Sequence, residues 1–126
     1  MNETLLDDNA FLVSETDEKG IITFANDEFC KVAGYSREEL IGQAHNVVRH
    51  KDMPKAAFED LWKTVKEGKV WQGYVKNSTK NGGFYWVYAT VYPYINGNKQ
   101  KCYMSCRRKF DKSKLAEIEN LYRSMR

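Results

Sequence analysis

No stretch of this chain approaches the roughly 20 consecutive apolar residues that a membrane-spanning helix needs, so direct membrane insertion is not expected. The first residues, MNETLLDDNAFLV, lack the basic start and apolar run of a secretory leader, and a cytoplasmic location is the expectation. Cysteine is sparse, at three residues. Cys102 and Cys106 lie four apart in a strand-like run and share a face, but no second pair stands at metal-ligand spacing. Free thiols are expected, and no metal site. The formal net charge of +3 is mild and scattered, which gives no footing for a nucleic-acid surface. The sequence offers no ATP-binding segment and no nucleophile beside a base, so the chain reads as a non-enzyme.

What is present suffices for one domain. With 126 residues, 42% apolar and 29% charged, the chain can bury its own core without disulfide or metal support. Aromatic residues reach 13%, and much of that mass falls between Trp62 and Tyr94. Such a concentration suits a tight core or a slot for a flat ligand.

FLVSETDEKGIITFAN reads as two short strands, Phe11 to Ser14 and Ile21 to Phe24, around turn chemistry at Asp17 to Gly20. NDEFCKVAGYS follows as a short helix ended by Gly34, and Ser36 with Glu39 forms a capping box that starts REELIG. Pro54 sits where a first helical turn tolerates proline. Phe58, Leu61, Trp62 and Val65 then keep the spacing of a buried helical face up to Gly68. The period next changes to two. Trp71 to Asn77, Phe84 to Tyr92 and Lys101 to Phe110 read as strands joined by KNGG and NGN, both hairpin signals. In the middle strand Tyr85, Val87, Ala89 and Val91 share one face, and Phe84, Trp86, Tyr88 and Tyr92 the other, so both faces should be covered. DKSKLAEIENLYRSMR closes as a helix whose Leu115, Ile118, Tyr122 and Met125 form a stripe two repeats long. That length suits packing on its own domain better than a coiled coil. The fold class is α+β: a five-stranded antiparallel sheet with helices inserted after the second strand.

TDEKGIITFANDEF, AGYSREELIG, KNGGFYWV and YPY, in this order and spacing from about Phe11 to Phe110, resemble the PAS family. The resemblance implies the PAS fold, with a helical crossover on one face of the sheet and a C-terminal helix. It makes residues 1–9 an N-terminal extension, 10–110 the sensor domain and 111–126 a linker or signalling helix. A narrower likeness rests on GQAHNVVRHKDMPKAAFEDLW followed by VWQGYVKN, similar to the PAS domain of bacterial aerotaxis and energy-taxis receptors. It implies noncovalently bound FAD, with FMN or haem as lesser alternatives, and a redox report to a chemoreceptor or HAMP-type signalling protein. It also implies a cytoplasmic place, peripheral to the inner membrane through that partner, and a homodimer formed by the sheet and C-terminal helix. Receptors of that kind continue into a membrane anchor and a signalling region. A PAS-only partner of a split receptor, or an excised domain, is therefore the expectation here.

HNVVRHKDMP, residues 45–54, falls in the expected crossover and concentrates polar side chains. A flavin needs an apolar slot for its ring, donors for its carbonyls and cations for its diphosphate. Arg49 offers a forked, charge-assisted donor pair, and as a half-buried cation it would require an anionic partner. His45 and His50 can donate or carry partial charge near the same anion. Asp52, acceptor only, would orient His50 or Arg49 or cap the helix starting at Pro54. Trp71 offers a stacking surface and Asn77 a carboxamide for the ring's edge. Asn26 precedes a helix, so capping and pocket duty stand level. The resemblance carries flavin contact onto Asn26, His45, Arg49, His50, Asp52, Trp71 and Asn77, with Arg49, Trp71, Asn77 and His45 foremost. Haem with His45 or His50 as axial ligand is the rival cofactor, and a cofactor-free dimerisation module the rival of another class. A light-oxygen-voltage photoadduct is excluded, because QAHNVVRH carries no cysteine.

Overall fold

Alternating apolar positions and hairpin turns produce five strands: β1 Phe11–Asp17, β2 Ile22–Ala25, β3 Trp71–Ser78, β4 Phe84–Ile95 and β5 Lys101–Arg108. The computed structural model describes residues 2–110 and 112–125; the expected segment limits at residues 1, 111 and 126 lie outside them. The strands form one antiparallel sheet in the order β2-β1-β5-β4-β3. β1 runs through Asp17, three residues beyond the reading from sequence. It pairs with β5 at every position from Phe11↔Arg108 to Asp17↔Cys102, and this pairing outweighs the weak strand propensity of Glu15 and Asp17. β5 stops at Arg108, short of Phe110.

Asp17 closes the first turn: its Oδ1 accepts from the backbone N–H of Lys19 (2.9 Å) and Ile21 (3.0 Å). Gly20 takes φ +84° there, a conformation open to glycine at little cost, and a Cβ would stand 3.2 Å from the Trp62 ring. The helices are α1 Asp27–Ala33, α2 Arg37–Leu40, α3 Lys55–Lys66 and α4 Leu115–Met125, with a 3-10 turn at His45–Val48 between α2 and α3. Asn26 caps α1, and the Ser36–Glu39 capping box starts α2. Pro54 itself is the N-cap of α3, so Asp52 does not cap that helix.

β4 is covered on both sides, as its two apolar faces require. The crossover from α1 to α3 packs on the inner face, its Phe29, Leu40, Val48 and Val65 joining Leu12, Ile22 and Tyr85 of the sheet in the core. α4 lies on the outer face, where Tyr122 stacks on Trp86 (centroids 6.4 Å) and its hydroxyl donates to the Tyr74 carbonyl at 2.6 Å. Ile118 and Tyr122 are buried, whereas Leu121 and Met125 are exposed. Burial of Ile118 alone is worth about 1.5–3 kcal/mol. The helix stripe thus packs on its own sheet.

Candidate functional site

Between the inner face and the crossover lies a cavity of about 650 Å³, within the ~300–1,000 Å³ usual for small-molecule sites. Side chains of one parity from four of the strands form its floor: Thr16 from β1, Val75 and Asn77 from β3, Ala89 and Val91 from β4, and Ser105 and Arg107 from β5. Its wall is one face of α3, carrying Phe58, Leu61, Trp62 and Lys66 at helical spacing. The Trp62 ring meets Tyr103 edge-on (5.3 Å), which holds the wall against the sheet.

The floor carries an uncompensated charge. Arg107 is 2% exposed. Its N–H groups donate to Ser14 Oγ and His45 Nε2, each at 2.6 Å, and to the Leu12 carbonyl at 3.4 Å. Its guanidinium lies 4.6 Å from the centre of the Phe29 ring. Every one of these partners is neutral. Burial pushes the guanidinium down to about 10, which leaves it charged at neutral pH.

His45 stays neutral. Because Arg107 has no acceptor, His45 Nε2 must be the unprotonated nitrogen. Burial first, and then Arg107, push its pKa down to about 3. Ser14 Oγ lies 2.9 Å from the same nitrogen, and the ring stacks on Phe29 at 5.9 Å. Asn77 is buried, with its Nδ2 donating to Tyr85 Oη at 3.4 Å. The buried Tyr85 hydroxyl is raised to about 12, chiefly by desolvation. Thr16, 5% exposed, has a hydroxyl with no partner among the described residues.

The rim differs. Glu18, Lys19, Asn46, Arg49 and Lys66 line it and are all exposed. Arg49 rests its guanidinium on the Phe58 ring at 4.8 Å. The reading from sequence gave Arg49 the position of a half-buried cation in need of an anion; the structure gives that position to Arg107.

HNVVRHKDMP divides at the edge of β3. Arg49 forms an antiparallel bridge with Asn77, and the next backbone N–H, of His50, donates to the Lys76 carbonyl at 3.3 Å. His45, Asn46 and Arg49 thereby line the cavity, while His50 and Asp52 do not. His50 is buried, and its Nδ1 accepts from the Asp52 backbone N–H at 3.0 Å. The Asp52 carboxylate pairs with Lys76 at 2.9 Å, beside Trp86, Glu119 and Tyr122 in a small cleft under α4.

Two further expected contacts also lie off the cavity. Asn26 uses its side chain on three backbone groups: it accepts from the N–H of Val13 (3.1 Å) and Phe29 (3.0 Å) and donates to the Phe11 carbonyl (2.8 Å). Trp71 lays its indole over Gly73 and donates from Nε1 to Asp60 of α3 at 2.9 Å, tying wall to floor. Of the seven residues expected to meet a flavin, the structure brings His45, Arg49 and Asn77 together at the cavity. Arg107, Ser14 and Thr16 escaped that reading, although each has the parity of an inner-face residue. No group of three or more metal-ligating side chains occurs among the described residues, and all three cysteines are free.

A family model described as PAS fold matches residues 22–108. The aerotaxis receptor of Escherichia coli is 48% identical over 122 residues, covering 97% of this chain and 24% of that receptor. A nitrogen fixation regulatory protein of Klebsiella pneumoniae is 29% identical over 93 residues, 74% of this chain and 19% of that protein. The chain thus spans about a quarter or less of these relatives. Among solved structures, a light-oxygen-voltage domain studied with a flavin analogue superposes with a TM-score of 0.73 at 17% identity, covering 87% of this chain and 85% of that domain. At that identity the likeness bears on the fold alone.

Proposed function

The chain belongs to the PAS family, and from that premise we propose that it is a sensor that holds FAD noncovalently in this cavity and reports the flavin's redox state. The observation that carries the reading is the cavity itself: about 650 Å³ with an aromatic and aliphatic wall, polar groups buried in its floor and cations on its rim. The partnerless Thr16 hydroxyl and the uncompensated Arg107 are what a polar, electron-rich ring would satisfy. Phe58, Leu61 and Trp62 would flank the ring, and Arg49, Lys19 and Lys66 would meet the diphosphate. A bound flavin would supply a group that accepts and returns electrons with a change of charge. His45 presents its Nε2 to Arg107 and Ser14, and His50 stands outside the cavity, so neither is offered as an iron ligand.

The unit proposed as sensor spans residues 10–110, with residues 1–9 as an extension and 111–126 as the output segment. Arg49 and Asn77 sit at the cavity, while Asp52 and the neighbouring Lys76 line the small cleft under α4. A displacement of the β3 edge therefore reaches both. Shifting a receptor between populations requires the two redox forms to differ by a few kcal/mol in conformational preference. One or two rearranged hydrogen bonds to charged groups, at about 1.5–3 kcal/mol each, meet that requirement. The partner we infer is a chemoreceptor or HAMP-type signalling protein in the cytoplasm at the inner membrane. A homodimer through the helix stripe would require α4 to leave its sheet. No described helix is long and apolar enough to cross a membrane.

The test is the absorption spectrum of protein purified without added cofactor, before and after dithionite. A two-band flavin spectrum that bleaches, with FAD released by acid, is the expected result. A sharp Soret band would assign the cavity to haem. A colourless protein that FAD neither colours nor stabilises against heat would leave a cofactor-free interaction module.

A further inference from the structure

The geometry points to Arg107 as the residue that receives the electron-rich edge of the flavin ring, with His45 and Ser14 as the residues that position it. The inference rests on the flavin reading above and extends it to a side chain outside the stretch HNVVRHKDMP.

Three observations converge on Arg107. A guanidinium has five N–H donors; three are engaged by Ser14, His45 and the Leu12 carbonyl, and two remain for a ligand in the cavity that Arg107 lines. Burying a cation among neutral partners is unfavourable unless something negative or strongly electron-rich completes its surroundings. Among the described residues no carboxylate pairs with it. The position is also fixed on all sides: β5 pairs Arg107 with Leu12 of β1 and with Ala89 of β4, while Phe29 closes over the guanidinium. A cation clamped this way keeps its geometry when the ligand leaves, which is the condition for a preorganised contact.

The floor location predicts which part of the ligand Arg107 meets. A flat ring seeks the slot, whereas phosphates seek the exposed rim and its cations. Removing Arg107 must therefore weaken binding of the ring whether or not phosphate is attached. The experiment titrates apo-protein with riboflavin and, separately, with FAD, following flavin fluorescence, in wild type, Arg107→Gln and Lys66→Gln. Arg107→Gln is expected to weaken both ligands equally, by about tenfold or more, the effect of losing hydrogen bonds to a charged group. Lys66→Gln is expected to weaken FAD only. Unchanged riboflavin binding in folded Arg107→Gln would overturn the assignment while leaving the flavin reading intact, and so would a loss confined to FAD. Wild type that binds neither flavin would overturn both. A measurement on wild type guards against a variant that does not fold: the Arg107 Nε–H resonance should shift on addition of riboflavin, and a stationary resonance would overturn the contact.

Discussion

Two arginines line one cavity and the fold treats them in opposite ways. Arg107 sits on the floor, clamped by Ser14 and His45, with no carboxylate paired to it among the described residues. Arg49 sits on the rim, exposed, its guanidinium on the Phe58 ring. At the rim, water screens charge and a contact with an anion is worth about 0.2–1 kcal/mol. On the floor the same charge carries a desolvation penalty of several kcal/mol, so a partner there matters far more. Residue type alone does not separate the two; burial does. Floor residues should therefore govern stability and ring recognition, and rim residues should tune affinity in a way that salt can erase.

The largest expected effect lies in acid. His45 has a folded pKa of about 3 against an ordinary value of 6.5. Between those values the unfolded chain holds a proton that the folded one refuses, so stability rises with pH and is lost as pH falls. The slope is about 1.4 kcal/mol per pH unit for one proton. Urea unfolding of the empty protein between pH 6.5 and 4.5 reads this contribution. Glu39 and Asp8, held low by Lys80 and Lys109, have ordinary values of 4.5 and 3.8, so the part of that window above about pH 5.5 reads His45 without them. His45→Gln keeps an acceptor for Arg107 and should flatten the slope, whereas Lys66→Gln should leave it in place. An equal slope in wild type and His45→Gln would remove the floor's claim on stability.

A smaller effect tests the link between floor and wall. A Cβ at residue 73 would stand 2.6 Å from the Trp71 indole, whose Nε1 holds Asp60 of α3. Gly73→Ala should displace the ring and loosen α3, lowering stability by about 1–3 kcal/mol, the usual range for overpacking. Riboflavin affinity should fall with it, because α3 carries Phe58, Leu61 and Trp62. Loss of stability with undiminished riboflavin binding would show that the wall does not shape the slot.

The sheet was legible in the sequence because its signals were local and periodic. KNGG and NGN set two hairpins, and alternation then sorted the faces of β4. The same logic reaches Arg107, since the second hairpin pairs Arg107 with Ala89, an inner-face residue. A lone arginine in phase with Tyr103 and Ser105 was the available signal. HNVVRHKDMP resisted for a physical reason: a 3-10 turn and an edge bridge carry no long period, so adjacent residues diverge. Arg49 turns to the cavity, and His50 stays off it with its ring edge-on to Phe84. Trp71 has the parity of a cavity residue, yet its indole lies over Gly73, where a hydrogen bond to Asp60 holds it. Asn26 was divided between cap and pocket, and its side chain is taken by one backbone bond to α1, the cap, and two to β1.

The smallest effect is the most diagnostic of the rim. Lys66 and Lys19 are exposed on the cavity rim with Arg49, and a diphosphate meeting them would gain contacts in water rather than in a low-dielectric interior. Lys66→Gln should weaken FAD binding by about two- to fivefold at low ionic strength, corresponding to a surface contact of up to about 1 kcal/mol. In 1 M salt, where the screening length is about 3 Å, that difference should vanish. The Arg107→Gln deficit should persist in the same salt, because a buried contact is poorly screened. If both deficits fall together with salt, Arg107 and Lys66 sit in one electrostatic environment and the division of the cavity into floor and rim is wrong. If only the Lys66 deficit falls, FAD spans the cavity from buried ring to solvated phosphate, and the cation that matters to the ring is the one on β5.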